Sequence, residues 1–286
     1  MRLSWIPVTV LANRTSVAWA GTPRSVTSVD TNERYVMLQA VVGDRRWLKR
    51  FCRRDSPCEV QLVCLHHAGG SAGMYRHWPQ LLAPSIETIG VQLPGRADRF
   101  HEPPYTRMMP LVDDLVEVLR PLLDRPYAIY GVSMGSRVMW TLTHVLRDRN
   151  LPMPVRLYTA CDPAPVHGTG SWRWEGRSDG LEGYVREMGG TPPAVLADQK
   201  LLAALLPTLD ADLTVLSTND FRPAVPLDVP IRAFAGTDDR EASPQQMNDW
   251  RGETSARFDL DEVPGGHFFD PEGERQVTGA ISRDLA

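Results

Sequence analysis

Tyr127-Ala128-Ile129-Tyr130-Gly131-Val132-Ser133-Met134-Gly135 is a short apolar run that ends in G-x-S-x-G. Residues 127–130 read as a buried strand. Residues 136–147 carry Val138, Met139, Leu142 and Val145 on one helical face. A serine between a strand and a helix, flanked by two glycines, has the pattern of a nucleophile elbow. The glycines are required because the turn is sharp and neighbouring backbone comes close. Taken alone, the string also fits a Ser-Gly turn that opens a helix, so the residues on either side must decide.

Outward from the elbow, strands and helices alternate. Residues 59–67 (EVQLVCLHH) form a Val- and Leu-rich strand, followed by Ala68-Gly69-Gly70 and a helix-like stretch over residues 71–82. Residues 87–93 (ETIGVQL) are the next strand, ended by Pro94-Gly95. Residues 108–123 place Leu111, Leu115, Val118, Leu119 and Leu122 at helical spacing. Residues 155–160, 231–235 and 257–263 supply three more strands. This alternation predicts an α/β fold with a mostly parallel central sheet and helices on both faces. Residues 167–229 are too long for a simple crossover and hold helical patterns at 181–188 and 194–206. They predict a helical cap, residues 168–227, over the carboxyl edge of the sheet.

Two partners for Ser133 follow in the right order. His267 stands in Pro264-Gly265-Gly266-His267-Phe268-Phe269, after the last strand. A serine hydroxyl needs a base to take its proton, and imidazole has the ordinary pKa for that task. Gly236-Thr237-Asp238-Asp239 follows the fifth strand. A carboxylate there orients the imidazole, and the G-x-x-D spacing selects Asp239 with Asp238 in reserve. The order Ser, Asp, His is that of α/β-hydrolases. An oxyanion hole needs two backbone N–H groups. Met134, after the nucleophile, and Ala68, in the glycine-rich loop after the first of these strands, are the candidates. Of the other histidines, His66, His77, His101, His144 and His167 read as ordinary packing or surface residues, and His67 stands out by its neighbours.

Composition narrows the field. The chain has 286 residues, with 31 basic and 35 acidic side chains and a net charge of −4, which excludes the basic footprint of a nucleic-acid binder. Four cysteines without a C-x-x-C pair leave no zinc ribbon, thioredoxin motif or disulfide scaffold. No apolar run reaches the roughly 18 residues of a membrane helix. These features predict a cytoplasmic protein with no metal, no organic cofactor, no nucleic-acid partner and no membrane span. Residues 1–45 lack a sustained period and read as a disordered leader, with a weak signal peptide or a true start at Met37 as alternatives. Residues 46–286 read as one domain.

His67-Ala68-Gly69-Gly70-Ser71-Ala72, Val91-Gln92-Leu93-Pro94-Gly95-Arg96, Gly131-Val132-Ser133-Met134-Gly135 and Pro264-Gly265-Gly266-His267-Phe268 together resemble the type II thioesterases of polyketide and nonribosomal peptide biosynthesis. The resemblance runs from about Trp47 to the C-terminus. It implies Ser133 as nucleophile, His267 as base, Asp239 as orienting acid, and Ala68 and Met134 as oxyanion donors. It also implies an acyl thioester substrate on the phosphopantetheine arm of an acyl or peptidyl carrier protein, and removal of misprimed or stalled groups. Two positions depart from the family pattern: His66 stands where proline is usual, and Val132 where histidine is usual. The segment Cys161-Asp162-Pro163 matches only loosely. Arg96, Arg99 and Arg137 read either as contacts for an acidic carrier protein or as solvated surface. The rival readings are a carboxylester hydrolase, an acyltransferase, and a non-catalytic binding protein on a hydrolase scaffold.

Overall fold

The structure is a computed structural model and describes residues 46–51, 58–168, 177–218 and 225–286. Among these residues seven strands form one sheet: β1 (Leu48–Phe51), β2 (Val60–Leu65), β3 (Ile86–Val91), β4 (Tyr127–Val132), β5 (Arg156–Ala160), β6 (Ile231–Gly236) and β7 (Phe258–Val263). Their order is β1-β3-β2-β4-β5-β6-β7. β1 pairs antiparallel with β3, and every other pair is parallel. The helices are α1 (Met108–Leu119), α2 (Met134–Asp148), α3 (Gly180–Met188), α4 (Pro193–Ala197), α5 (Gln199–Ser217), α6 (Pro244–Asn248) and α7 (Pro271–Leu285).

The apolar runs in β2 and β4 are continuous because both faces of the sheet are covered. In β2 and β4, Val63, Leu65 and Ile129 face one core with α1 and α2, whereas Leu62, Cys64, Ala128 and Tyr130 face a second with Trp78 and α7. α1 buries Met108, Leu111, Val112, Leu115, Val116 and Leu119, which is the i, i+3, i+4, i+7 stripe that drives its docking. Each such side chain contributes roughly 1.5–3 kcal/mol.

β3 lies on one side of β2 and β4 on the other. The loops that leave the carboxyl ends of β2 and β4 therefore diverge and open a crevice at the sheet edge. Leu65 of β2 is in register with Gly131 of β4, so the Ala68 loop and Ser133 leave the sheet side by side.

The structure departs from the sequence reading in three places. Residues 71–82 are not one helix but two short 3₁₀ turns, Ala72–Tyr75 and Trp78–Gln80. Distant contacts win there: the Tyr75 hydroxyl donates to Leu65 O at 2.9 Å and the Trp78 indole to Glu274 at 2.8 Å. β1 is a strand the periodicity missed, since four residues on a sheet edge carry almost no pattern. The helical pattern over 194–206 divides at Asp198, whose carboxylate caps α5 through the N–H groups of Lys200 and Leu201. The expected leader, residues 1–45, lies outside the described residues, as do residues 169–176 and 219–224 of the expected cap. No helix among the described residues is long and apolar enough to cross a membrane.

Candidate active site

β4 runs directly into Ser133, whose backbone sits at φ +53° and ψ −120°. A non-glycine residue there stores about 1–3 kcal/mol of strain. Surrounding contacts impose it. Ser133 N–H donates to Ala160 O at 2.8 Å, and the Ser136 hydroxyl donates to Gly131 O at 2.8 Å. The two glycines of the motif are steric necessities. A Cβ on Gly131 would lie 2.4 Å from Gly135 O, and one on Gly135 would lie 2.2 Å from Leu65 O.

His267 arrives from the loop after β7. Its Nε2 is 3.0 Å from Ser133 Oγ, and its Nδ1 is 3.2 Å from Asp239 Oδ2. The loops carrying the histidine and the acid are pressed together: Asp238 N–H donates to Gly265 O at 2.9 Å. Of the adjacent aspartates, Asp239 is buried and faces the imidazole, while Asp238 is exposed. Asp239 Oδ1 also accepts the N–H groups of Glu241 and Ala242 at 2.8 and 3.2 Å. Burial alone would raise the Asp239 pKa, but the His267 hydrogen bond and charge and these two N–H donors outweigh it and hold the carboxyl below its usual range.

The loop after β2 is braced by side chains as well as by its own turn. His67 O accepts from Gly70 N–H at 2.9 Å and from His66 Nδ1 at 2.8 Å, and Ala68 O accepts from His67 Nδ1 at 2.8 Å. A carbonyl can only accept, so both histidines carry their proton on Nδ1. Burial, aided by the Arg96 charge, lowers the His66 pKa well below the ordinary value, and burial lowers that of His67 as well. The departure to His66 thus supplies a side-chain donor that proline lacks. Among the described residues, the N–H groups of Ala68 and Met134 donate to no protein acceptor.

A cavity of about 470 Å³ opens beside Ser133. Leu202, Leu205, Leu206, Leu209, Leu213 and Leu216 of α5 and Tyr184, Val185 and Met188 of α3 line it. Arg137, Asp162, His167, Glu241 and Gln246 also line it. Arg96, Arg99 and Arg137 are 5%, 5% and 1% exposed, so none of them greets a partner at the surface. Arg137 pairs with Asp162 at 3.1 Å and donates to Pro163 O, and Arg96 pairs with Asp212 of α5. Burial pushes the Asp162 carboxyl up, and Arg137 restrains the shift. Sequence reasoning missed these buried pairs; the only signal was Pro94-Gly95-Arg96 as a motif.

A profile of the thioesterase domain matches residues 60–285. The chain belongs to the thioesterase family. This thioesterase is 30% identical over 234 residues to the gramicidin S biosynthesis protein GrsT of Aneurinibacillus migulanus, covering 81% of this chain and 91% of that one. Among solved structures, it is similar to the RedJ thioesterase from the prodiginine biosynthetic pathway in Streptomyces coelicolor, with a TM-score of 0.76 and 31% identity over 81% of this chain and 94% of RedJ. It is also similar to the type II thioesterase BorB from the borrelidin biosynthetic cluster, with a TM-score of 0.74 and 31% identity over 84% and 98% of the two chains. The enzyme is a type II thioesterase, a hydrolase of thioester bonds.

Proposed function

We propose that this thioesterase releases acyl groups from the phosphopantetheine thiol of acyl or peptidyl carrier proteins, and so clears misprimed or stalled synthase modules in the cytoplasm. The observation that carries the reading is the chain Ser133–His267–Asp239 at the head of a largely apolar cavity. The relatives' links to gramicidin S, prodiginine and borrelidin biosynthesis support a carrier-bound substrate.

His267 Nε2 takes the Ser133 proton as Oγ attacks the thioester carbonyl. Asp239 keeps the imidazole in the tautomer that bares Nε2 and stabilises the imidazolium that forms. Charge developing on the carbonyl oxygen is met by the unoccupied N–H groups of Met134 and Ala68. The tetrahedral intermediate collapses, and the pantetheine thiol departs with the proton held by His267. Water, deprotonated by the same imidazole, then attacks the acyl-serine and frees the acid. α3, α4 and α5 act as a cap: the α5 leucines hold the acyl chain, and the outer face of these helices meets the carrier protein.

The test compares hydrolysis of an acyl-loaded carrier protein with that of a simple oxygen ester, using the native enzyme and Ser133→Ala. The reading expects higher kcat/KM on the carrier thioester and loss of turnover in Ser133→Ala. Equal or better efficiency on the oxygen ester makes the protein a carboxylester hydrolase instead. Unchanged acyl release by Ser133→Ala removes the mechanism.

A further inference from the structure

The braced loop after β2 takes one of its hydrogen bonds from far away in the chain. Gly69 N–H donates to Asp212 Oδ2 of α5 at 2.7 Å. Asp212, 2% exposed, receives Arg96 in a bidentate pair at 2.6 and 2.7 Å. Arg96 also donates to Gly70 O at 3.3 Å and to Pro94 O at 3.1 Å. One turn earlier on α5, the Thr208 hydroxyl donates to Gly95 O at 2.7 Å. Helix α5 is therefore fastened to both loops at this end of the sheet.

We propose that Asp212 and Arg96 are positioning residues for catalysis. They fix the peptide planes around Ala68 so that its free N–H faces the oxyanion, and they link that setting to the helix that walls the acyl cavity. The proposal rests on Ala68 as an oxyanion donor.

Three observations lead to it. First, the peptide joining Ala68 to Gly69 is held at both ends, its carbonyl by His67 Nδ1 and its N–H by Asp212. Gly69 sits at φ +73°, a residue type and conformation with freedom to swing, and the hydrogen bond from its N–H to a carboxylate removes that freedom. Second, a buried ion pair is a weak source of stability, because desolvation offsets the attraction, so the fold alone does not account for this one. Third, Leu209, one turn before Asp212, and Leu213, next to it, line the cavity, and a Cβ on Gly69 would lie 3.4 Å from Leu209 Cδ1. An acyl chain that packs on these leucines bears on the same helical turn that holds Gly69.

The test uses Arg96→Met/Asp212→Leu, which removes both charges and the Gly69 acceptor together, and Asp212→Asn, which is isosteric and keeps an acceptor. Hydrolysis of short and long acyl N-acetylcysteamine thioesters is followed by thiol release, with folding monitored by circular dichroism. In the double variant the expected result is a kcat at least tenfold lower with KM within about threefold. The affinity of an alkylboronic acid, which mimics the tetrahedral oxyanion, should fall by a similar factor. The advantage in kcat of the longer chain should shrink, and Asp212→Asn should recover part of the loss. If the double variant does not fold, Asp212→Asn is read by the same criteria, with a smaller fall in kcat and in boronate affinity. A folded variant that keeps kcat and boronate affinity within twofold of the native enzyme overturns the proposal while leaving the Ser133 mechanism in place. Native-level turnover by Ser133→Ala overturns both.

Discussion

Replacing Asp239 by asparagine should disable the enzyme while leaving it folded, and the hydrogen bonds around this carboxylate say why. Oδ1 accepts two backbone N–H groups, from Glu241 and Ala242, and Oδ2 faces His267 Nδ1. In Asp239→Asn the amide oxygen must take the place of Oδ1, because an NH₂ group there would point hydrogens at two donors. The NH₂ then faces Nδ1 and forces the imidazole to present a bare Nδ1 and a protonated Nε2. A protonated Nε2, 3.0 Å from Ser133 Oγ, cannot accept the serine proton. The wrong tautomer is expected to lower kcat by about 10⁴-fold, or about 5 kcal/mol of barrier. Loss of one side-chain charge with its hydrogen bonds retained should leave the thermal midpoint within a few degrees of native. The assay is steady-state hydrolysis of an acyl N-acetylcysteamine thioester with colorimetric detection of the thiol, alongside a thermal melt. Asp238→Asn is the control and should keep native kcat, since that side chain is exposed. A folded Asp239→Asn enzyme with more than a tenth of native kcat would refute the orienting role.

Other consequences are as concrete. Gly135→Ala forces a methyl to 2.2 Å from the Leu65 carbonyl oxygen in the middle of the sheet, so the variant should lose several kcal/mol and melt well below native, as read by calorimetry. Arg137→Met strips Asp162 of its buried partner and should cost about 3–5 kcal/mol in chemical denaturation. Burial already raises the Asp162 pKa, so the defect should be smaller near pH 5 than near pH 8, where the unpaired carboxyl must ionise. His144 packs against Trp140 with both ring nitrogens buried and unpartnered among the described residues, and burial, helped by Arg147, lowers its pKa to about 4. Because the folded value lies below the unfolded one, the unfolded chain binds the proton first as pH falls. Stability should therefore drop between about pH 6.5 and 4, by up to about 3 kcal/mol from this residue. His144→Phe should flatten that part of the pH–stability curve. Leu213→Trp projects bulk into the cavity and should raise KM for long acyl chains more than for acetyl.

That Ser133, Asp239 and His267 come together was legible in the sequence, because each stands after a parallel strand in a loop whose glycines announce close backbone approach. The strands themselves were legible as apolar runs, since both faces of the sheet are covered. Arg96 and Asp212 were not legible as a pair. They are 116 residues apart, and an arginine after Pro-Gly and an aspartate in a helix each look like solvated surface until tertiary folding buries them together. The same holds for Arg137, which follows Ser133 by four residues on α2 yet points into the loop after β5. β1 escaped because an edge strand of four residues has no room for a period, and the two turns at 72–80 because side-chain bonds to the sheet and to α7 override local helical preference.

The parallel order of the sheet has a consequence for the timing of activity. Ser133 and His267 are 134 residues apart in the chain, and His267 sits in the loop after β7, the seventh of the described strands in chain order. A growing chain can complete the Ser133 turn and the Ala68 loop long before it holds His267. β7 pairs only with β6, Ile231 opposite Phe258, so His267 is placed only after β6 has joined the sheet. Under the proposed mechanism the enzyme is inert until His267 is in place, so thioester turnover is a selective reporter of the docking of β7 onto β6. Recovery of turnover during refolding should lag the recovery of helical signal by the time that docking takes.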